Sequence, residues 1–273
     1  MKRASKILGL VAVATVLSVP STQARTWYVN VGGTGDAPTI WAAMDSAAAG
    51  DTVLVGPGEY VITYQTDKID VKAAVCLKSE RGPLETRLIS DGIAWWDTGI
   101  HLRSGAALDG FWAEGPFPWL ISTGPNGRLT GCIVLGKTGI SGSPYVANNL
   151  FLGALDFFTG GVDFQKNIVY GHMICRSGSG DQVNYFFCND ILGDVDPCIV
   201  HPTLFSNFSL DPQFCGIEGS ENYYLRSSSP CAPGNTPPGG FTDCGLIGPL
   251  PVGCGVVRAE ETSWGRVKAL YGE

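Results

Sequence analysis

Between Asp181 and Asp196 the chain carries four carboxylates, Asp181, Asp190, Asp194 and Asp196, with Asn189 among them. The run NDILGDVD offers the oxygen donors a calcium ion takes, so Asp190, Asp194 and Asp196 form a candidate calcium set. Asp190 and Asp194 also qualify as the two carboxylates a glycosidase needs. Lys166, His172 and Arg176 are the nearest basic residues, and a lyase uses such a residue as its base. His172 and Cys175 have a spacing seen in metal sites, although a cysteine in an oxidising compartment more often serves a disulfide or the core. The same acids suit plain turn chemistry, since Gly193-Asp194 and Asp196-Pro197 are turn dipeptides. Rings supply a second chemistry. Trp95, Trp96, Phe111, Trp112, Phe117 and Trp119 crowd a stretch broken by Gly and Pro. Trp96, Trp112 and Trp119 are candidate platforms for the apolar face of a pyranose, with core or corner packing as the competing use.

A repeat must position these groups. LTGCIVLG (129–136), VANNLFLG (146–153), FQKNIVYG (164–171) and FFCNDILG (186–193) share apolar residues around a small or polar one and a closing glycine. Gly136, Gly153, Gly171 and Gly193 follow one another at 17, 18 and 22 residues. LDGFWAEG (108–115) extends the series upstream, and LFSNFSLD (204–211) extends it downstream with Asp211 in the glycine position. Four residues before each closing position stand Phe111, Cys132, Asn149, Asn167, Asn189 and Asn207. If each unit is one coil of a solenoid, the four asparagines stack in a column and their amides hydrogen-bond along it. Asn also tolerates the left-handed backbone of a tight corner. Ile133, Leu135, Leu150, Leu152, Ile168 and Tyr170 are expected to face inward and stack into one continuous core. About eight coils fit between Thr52 and Leu225 at a period near the short end of known repeats.

The stretch TIWAAMDSAAAGDTVLVGPGEY (39–60) reads as a short helix, a Gly-Asp turn and a buried strand. Ile40, Ala43, Met44 and Ala47 recur at helical spacing behind Pro38-Thr39, Gly50 is expected to close the helix, and Thr52–Val55 is a β-branched run. This pattern resembles the N-terminal cap and first coil of secreted right-handed parallel β-helix proteins, the pectate-lyase-like superfamily. From Leu210, D-P-x-F-C followed by Y-x-L-x-x-x-S-P-C is similar to the terminal coil of many such proteins. The resemblance implies an all-β right-handed parallel β-helix with a short N-terminal capping helix and a disulfide-braced C-terminal end. The helix covers one open end of the stack and the segment after Cys215 covers the other. It also implies carbohydrate as the ligand class, on the solvent face of the parallel strands. LDFFTGG (155–161) echoes the D-F-x-x-G motif of pectin methylesterases, which makes Asp156 a candidate nucleophile. The companion Q-D-T-L and G-R-P-W segments are absent, as are the R-x-P-x-x-R of pectate lyases and the paired-Asp signature of polygalacturonases.

Composition sets the compartment. Lys2, Arg3 and Lys6 precede an apolar run from Ile7, and Ser21–Ala24 supplies small residues for cleavage, so residues 1–24 read as a signal peptide. Its removal leaves 249 of the 273 residues and takes the formal charge from −7 to −10 by deleting three cations. That balance argues against nucleic acid as a partner. No second apolar run is long enough to span a membrane. Six of the nine cysteines fall between Cys188 and Cys254. Cys215–Cys231 is the pairing expected first, CGLIGPLPVGCG suggests a small loop tied between Cys244 and Cys254, and the odd count leaves at least one thiol free. Residues 25–255 are then the β-helix domain. Residues 256–273 form a tail with Trp264, Val267, Leu270 and Tyr271 at helical spacing, similar to the C-terminal tails of some secreted bacterial proteins. The expected protein is secreted or surface-bound, monomeric, non-catalytic and in contact with extracellular polysaccharide. It requires no cofactor, although calcium is possible. A polysaccharide lyase or glycoside hydrolase is the alternative, and a structural surface repeat protein the third reading.

Overall fold

The computed structural model describes residues 23–254, apart from 64–67, 91–97, 159–160, 177–184, 200–205, 217–220, 236 and 238–242. Residues 1–22 of the expected signal peptide, the tail 256–273, Asp181, Trp95 and Trp96 lie outside the described residues.

The chain winds as a right-handed parallel β-helix of three sheets. Sheet A stacks eight strands: Thr26–Val29, Thr52–Val55, Cys76–Ser79, Ala107–Asp109, Arg128–Thr130, Tyr145–Ala147, Asp163–Gln165 and Tyr185–Phe187. Sheet B stacks seven, from Gly58–Ile62 through Thr86–Ser90, Trp112–Glu114, Ile133–Val134, Leu150–Phe151 and Ile168–Val169 to Asp190–Ile191. Sheet C stacks six: Ile69–Val71, Thr98–Leu102, Trp119–Thr123, Thr138–Ile140, Leu155–Phe157 and Met173–Cys175. Every pairing within these sheets is parallel and in register, so equivalent residues form columns along the axis. The Thr26–Val29 strand precedes the first coil read from sequence and pairs with Thr52–Val55.

The corner between sheets A and B carries the predicted ladder. Asn149 Nδ2 donates to Asn167 Oδ1 at 3.0 Å, Asn167 to Asn189 at 3.1 Å and Asn189 to Asn207 at 2.8 Å. Each of these oxygens also accepts the backbone N–H of the asparagine one coil earlier. Asn149 closes the series by accepting the Cys132 N–H. The left-handed residue of each corner is the one before the ladder position: Gly110, Gly131, Asn148, Lys166, Cys188 and Ser206 all have φ between 56° and 80°. The ladder asparagines hold the corner from the following position. At the far end of sheet B the closing glycines stack so closely that a Cβ on Gly171 would lie 1.8 Å from the Gly153 carbonyl oxygen.

The inward set differs from expectation. Val134, Phe151 and Val169 point into the main core with Leu129, Val146 and Phe164. Ile133, Leu150 and Ile168 point outward and join a second core with Trp112, Leu225, Ile247 and Leu250. Leu135 and Tyr170 are exposed. The cause is the C-terminal segment, which lies along the outer face of sheet B as a strap instead of plugging the open end. From Trp112 to Ile168 sheet B is therefore apolar on both faces, and alternation loses its meaning there. At the C-terminal end Val195 and Ile199 reach the main core.

The expected Cys215–Cys231 bridge and Cys244–Cys254 loop are replaced by Cys188–Cys244 and Cys215–Cys254. Bridges Phe214↔Leu225 and Leu225↔Val252 lay three strap segments side by side, which carries Cys254 back to Cys215. Cys175 is also disulfide-bonded. Cys76, Cys132 and Cys231 are free thiols.

At the N-terminal end the helix Ile40–Ser46 buries Ile40, Ala43 and Met44 on the core, with Thr39 as its N-cap accepting the Ala42 N–H. It ends at Ala47, earlier than expected, and Gly50 (φ 94°) belongs to the next turn. The open edge of the first strand is covered by the loop that follows it, where Asp36 N–H donates to the Tyr28 carbonyl and Asp36 Oδ2 accepts the Tyr28 N–H. Among the described residues no helix is long and apolar enough to cross a membrane.

Candidate functional site

Sheet C sends two columns into the core, Ile69–Ile100–Ile121–Thr138–Leu155–Met173 and Val71–Leu102–Thr123–Ile140–Phe157–Cys175. The residues between them face outward by strand alternation: Asp70, His101, Ser122, Gly139, Asp156 and Ile174. Asp156 is the centre of this face. Its side chain is fully buried, and its Oδ2 receives Lys137 Nζ at 2.8 Å, Arg176 Nε at 2.9 Å and the Trp119 indole N–H at 3.0 Å. Burial alone pushes the Asp156 carboxyl up, but these hydrogen bonds outweigh it and hold the group below the ordinary carboxylate range. Its Oδ1 has no hydrogen-bond partner.

Trp119 is half-buried and packs edge-on to Phe158, ring centroids 5.5 Å apart. Both rings lie over Gly139, where a Cβ would approach each to about 3.2–3.3 Å. Lys137 stands 6.0 Å from the Trp119 ring centre. The indole is thus held by a hydrogen bond, an aromatic edge and the missing side chain beneath it. Four strands from Asp156 in the same outward column, Arg103 grips Asp70 through Nε at 2.8 Å and Nη2 at 2.5 Å. At about 4.8 Å per strand, the face from Asp70 to Ile174 runs roughly 24 Å.

The other sequence candidates are placed as follows. Trp112 is completely buried under the strap, with the Arg87 guanidinium 4.4 Å over its ring and Tyr223 5.8 Å away. A ring with no open face cannot receive a sugar, so its use is packing. Asp190 is also fully buried beneath the strap, where Leu210 N–H and the Cys231 thiol meet its two oxygens at 3.0 and 3.2 Å. Asp194 is exposed, and Asp196 accepts the Cys175 N–H and pairs with His172 at 3.2 Å. Among the described residues no three of His, Cys, Asp and Glu are gathered to hold a metal ion. Arg176, grouped by sequence with the Asp190 region, serves Asp156 instead. Lys137 and Phe158 were not singled out from sequence. Counting from the closing glycines would have aligned Gly139, Asp156 and Ile174, each three residues after its glycine, and drawn Lys137 into the same patch.

No protein-family model, no curated protein and no solved structure matches the chain significantly. The parallel β-helix is the class that the coordinates define.

Proposed function

We propose that this is a secreted or cell-surface β-helix of the pectate-lyase-like kind that binds an extracellular polysaccharide without cleaving it, through the outer face of sheet C. The observation that carries the reading is Trp119, a partly open indole fixed by Asp156 and Phe158 and flanked by two cations. A preorganised ring stacks on a pyranose at little entropic cost, and cations beside it suit an acid-bearing glycan over a neutral one. That face stands out on a chain with a formal charge of −7. The signal-type N-terminus and the disulfides support an extracellular location.

The burial of Asp156 speaks against catalysis. Its carboxylate is sealed by the residues that bind it, so a substrate could not be attacked without displacing Trp119, Lys137 or Arg176. The test is incubation with polygalacturonate, alginate and a neutral glucan, with calcium and with chelator, reading binding by affinity electrophoresis and turnover by new reducing or unsaturated ends. Binding of an acidic glycan, weakened roughly tenfold or more by Trp119→Ala, is expected. New chain ends would establish a lyase or hydrolase in its place, and no binding to any glycan would leave the structural surface role.

A further inference from the structure

The outward column of sheet B runs Glu59, Arg87, Trp112, Ile133, Leu150, Ile168 and Asp190. From Trp112 to Ile168 it is apolar and sealed by the strap. Asp190 occupies the next position of this apolar row and is equally buried. Both of its hydrogen-bond donors come from the chain beyond it: the Leu210 N–H to Oδ1 and the Cys231 thiol to Oδ2. Among the described residues, the titratable groups facing it are Asp211 and Cys231 on the strap side and Tyr170 on the neighbouring coil. None is a cation. Asp156, the other fully buried aspartate, has two.

We infer that Asp190 is the pin of an acid-closed clasp: with its carboxyl protonated the strap seats on the last coils at Leu210 and Cys231, and with it charged the strap lifts at those two residues. An ionised carboxylate in an apolar row gains hydration only if its cover moves. Two hydrogen bonds, one from a weak thiol donor, do not replace that hydration. Burial, reinforced by the like charge of Asp211, pushes the Asp190 carboxyl up to about 6, which puts the transition within reach of an extracellular environment. The disulfides Cys188–Cys244 and Cys215–Cys254 keep the strap attached, so the movement is local and reversible.

Amide hydrogen exchange of the protein, corrected for the intrinsic pH dependence of exchange, tests the clasp. Between about pH 5 and about pH 8, the Leu210 and Cys231 amides should lose roughly tenfold or more of their protection, a fraction of the span set by the displaced carboxyl. The Asn167 amide, held by the ladder, should keep its protection throughout. Asp190→Asn should remove the pH dependence, and Asp211→Asn should move its midpoint to lower pH. A flat profile in the unaltered protein overturns the clasp. So does an unchanged fall in Asp190→Asn, or a parallel fall at Asn167, which would mean unfolding of the whole stack.

Discussion

At the scale of single residues, the asparagine ladder and the two buried aspartates show how one polar group can be placed to opposite effect. Asn167 gives both amide hydrogens and accepts two, all inside a fully buried corner. Asn167→Ala strands the donors of Asn149 and the Val146 carbonyl at once, and leaves the Asn189 oxygen with only the backbone N–H of residue 167. A loss of about 2–4 kcal/mol in chemical denaturation is expected, as for several buried groups left unpaired. The aspartates differ in sign. Asp156 has a depressed carboxyl, so its contribution is present above the ordinary carboxylate range and disappears as pH falls through the folded value. Asp190 titrates near 6 when folded, so its contribution is complete below about pH 4 and is lost as pH rises through 6. Thermal melts should therefore show Asp190→Asn gaining on the unaltered protein as pH rises from 4 to 7, by up to about 3 kcal/mol at 1.36 kcal/mol per unit. Asp156→Asn should show the reverse, its disadvantage shrinking in acid.

At the scale of elements, a coil is three short strands, one in each sheet, with a two-residue corner between sheets A and B and a glycine after sheet B that lets the next coil approach. The columns of Asn and Gly were legible because each answers a local demand that other residues meet badly. A Cβ on Gly153 would lie 2.3 Å from the Gly136 carbonyl oxygen, and one on Gly193 would lie 2.1 Å from that of Gly171. Backbone cannot yield as a side-chain tip does, so Gly171→Ala should cost about 3 kcal/mol or more, while Gly50→Ala, with open space around it but φ 94°, should cost about 1 kcal/mol. Denaturant midpoints of the two variants check the contrast. Which face of sheet B is inside was not legible. Ile133-Val134, Leu150-Phe151 and Ile168-Val169 are apolar pairs, and only the strap, placed by contacts far along the chain, decides that the first of each pair faces outward. The site on sheet C was half legible. Asp156 and Trp119 were both named, but 37 residues of sequence separate them, and only the stacking of coils joins them.

At the scale of the whole molecule, two covers solve two different problems. The N-terminal helix closes an open end of the stack. The strap turns the outer face of sheet B into a second core, leaving sheets A and C to meet solvent. This division predicts opposite behaviour for two tryptophans that sequence treats alike. Trp112 lies in the second core, so Trp112→Ala should lower stability by about 3–5 kcal/mol and leave glycan affinity unchanged in the fraction that folds. Trp119→Ala should weaken binding while moving stability far less, because its ring is only half-buried and Phe158 and Asp156 remain. The strap itself is held by loops of 56 and 39 residues closed by disulfides, each constraint contributing about 4 kcal/mol in the chain-entropy description. Reduction should consequently release the strap before the coils. Beyond the Cys188 corner and the bonded Cys175 on the last strand of sheet C, the described residues of the ladder and the main core carry no bridge, so far-UV dichroism should persist while Trp112 becomes open to an aqueous quencher. Simultaneous loss of both signals on reduction would mean instead that the coils depend on the strap, and that the second core is the condition for the first.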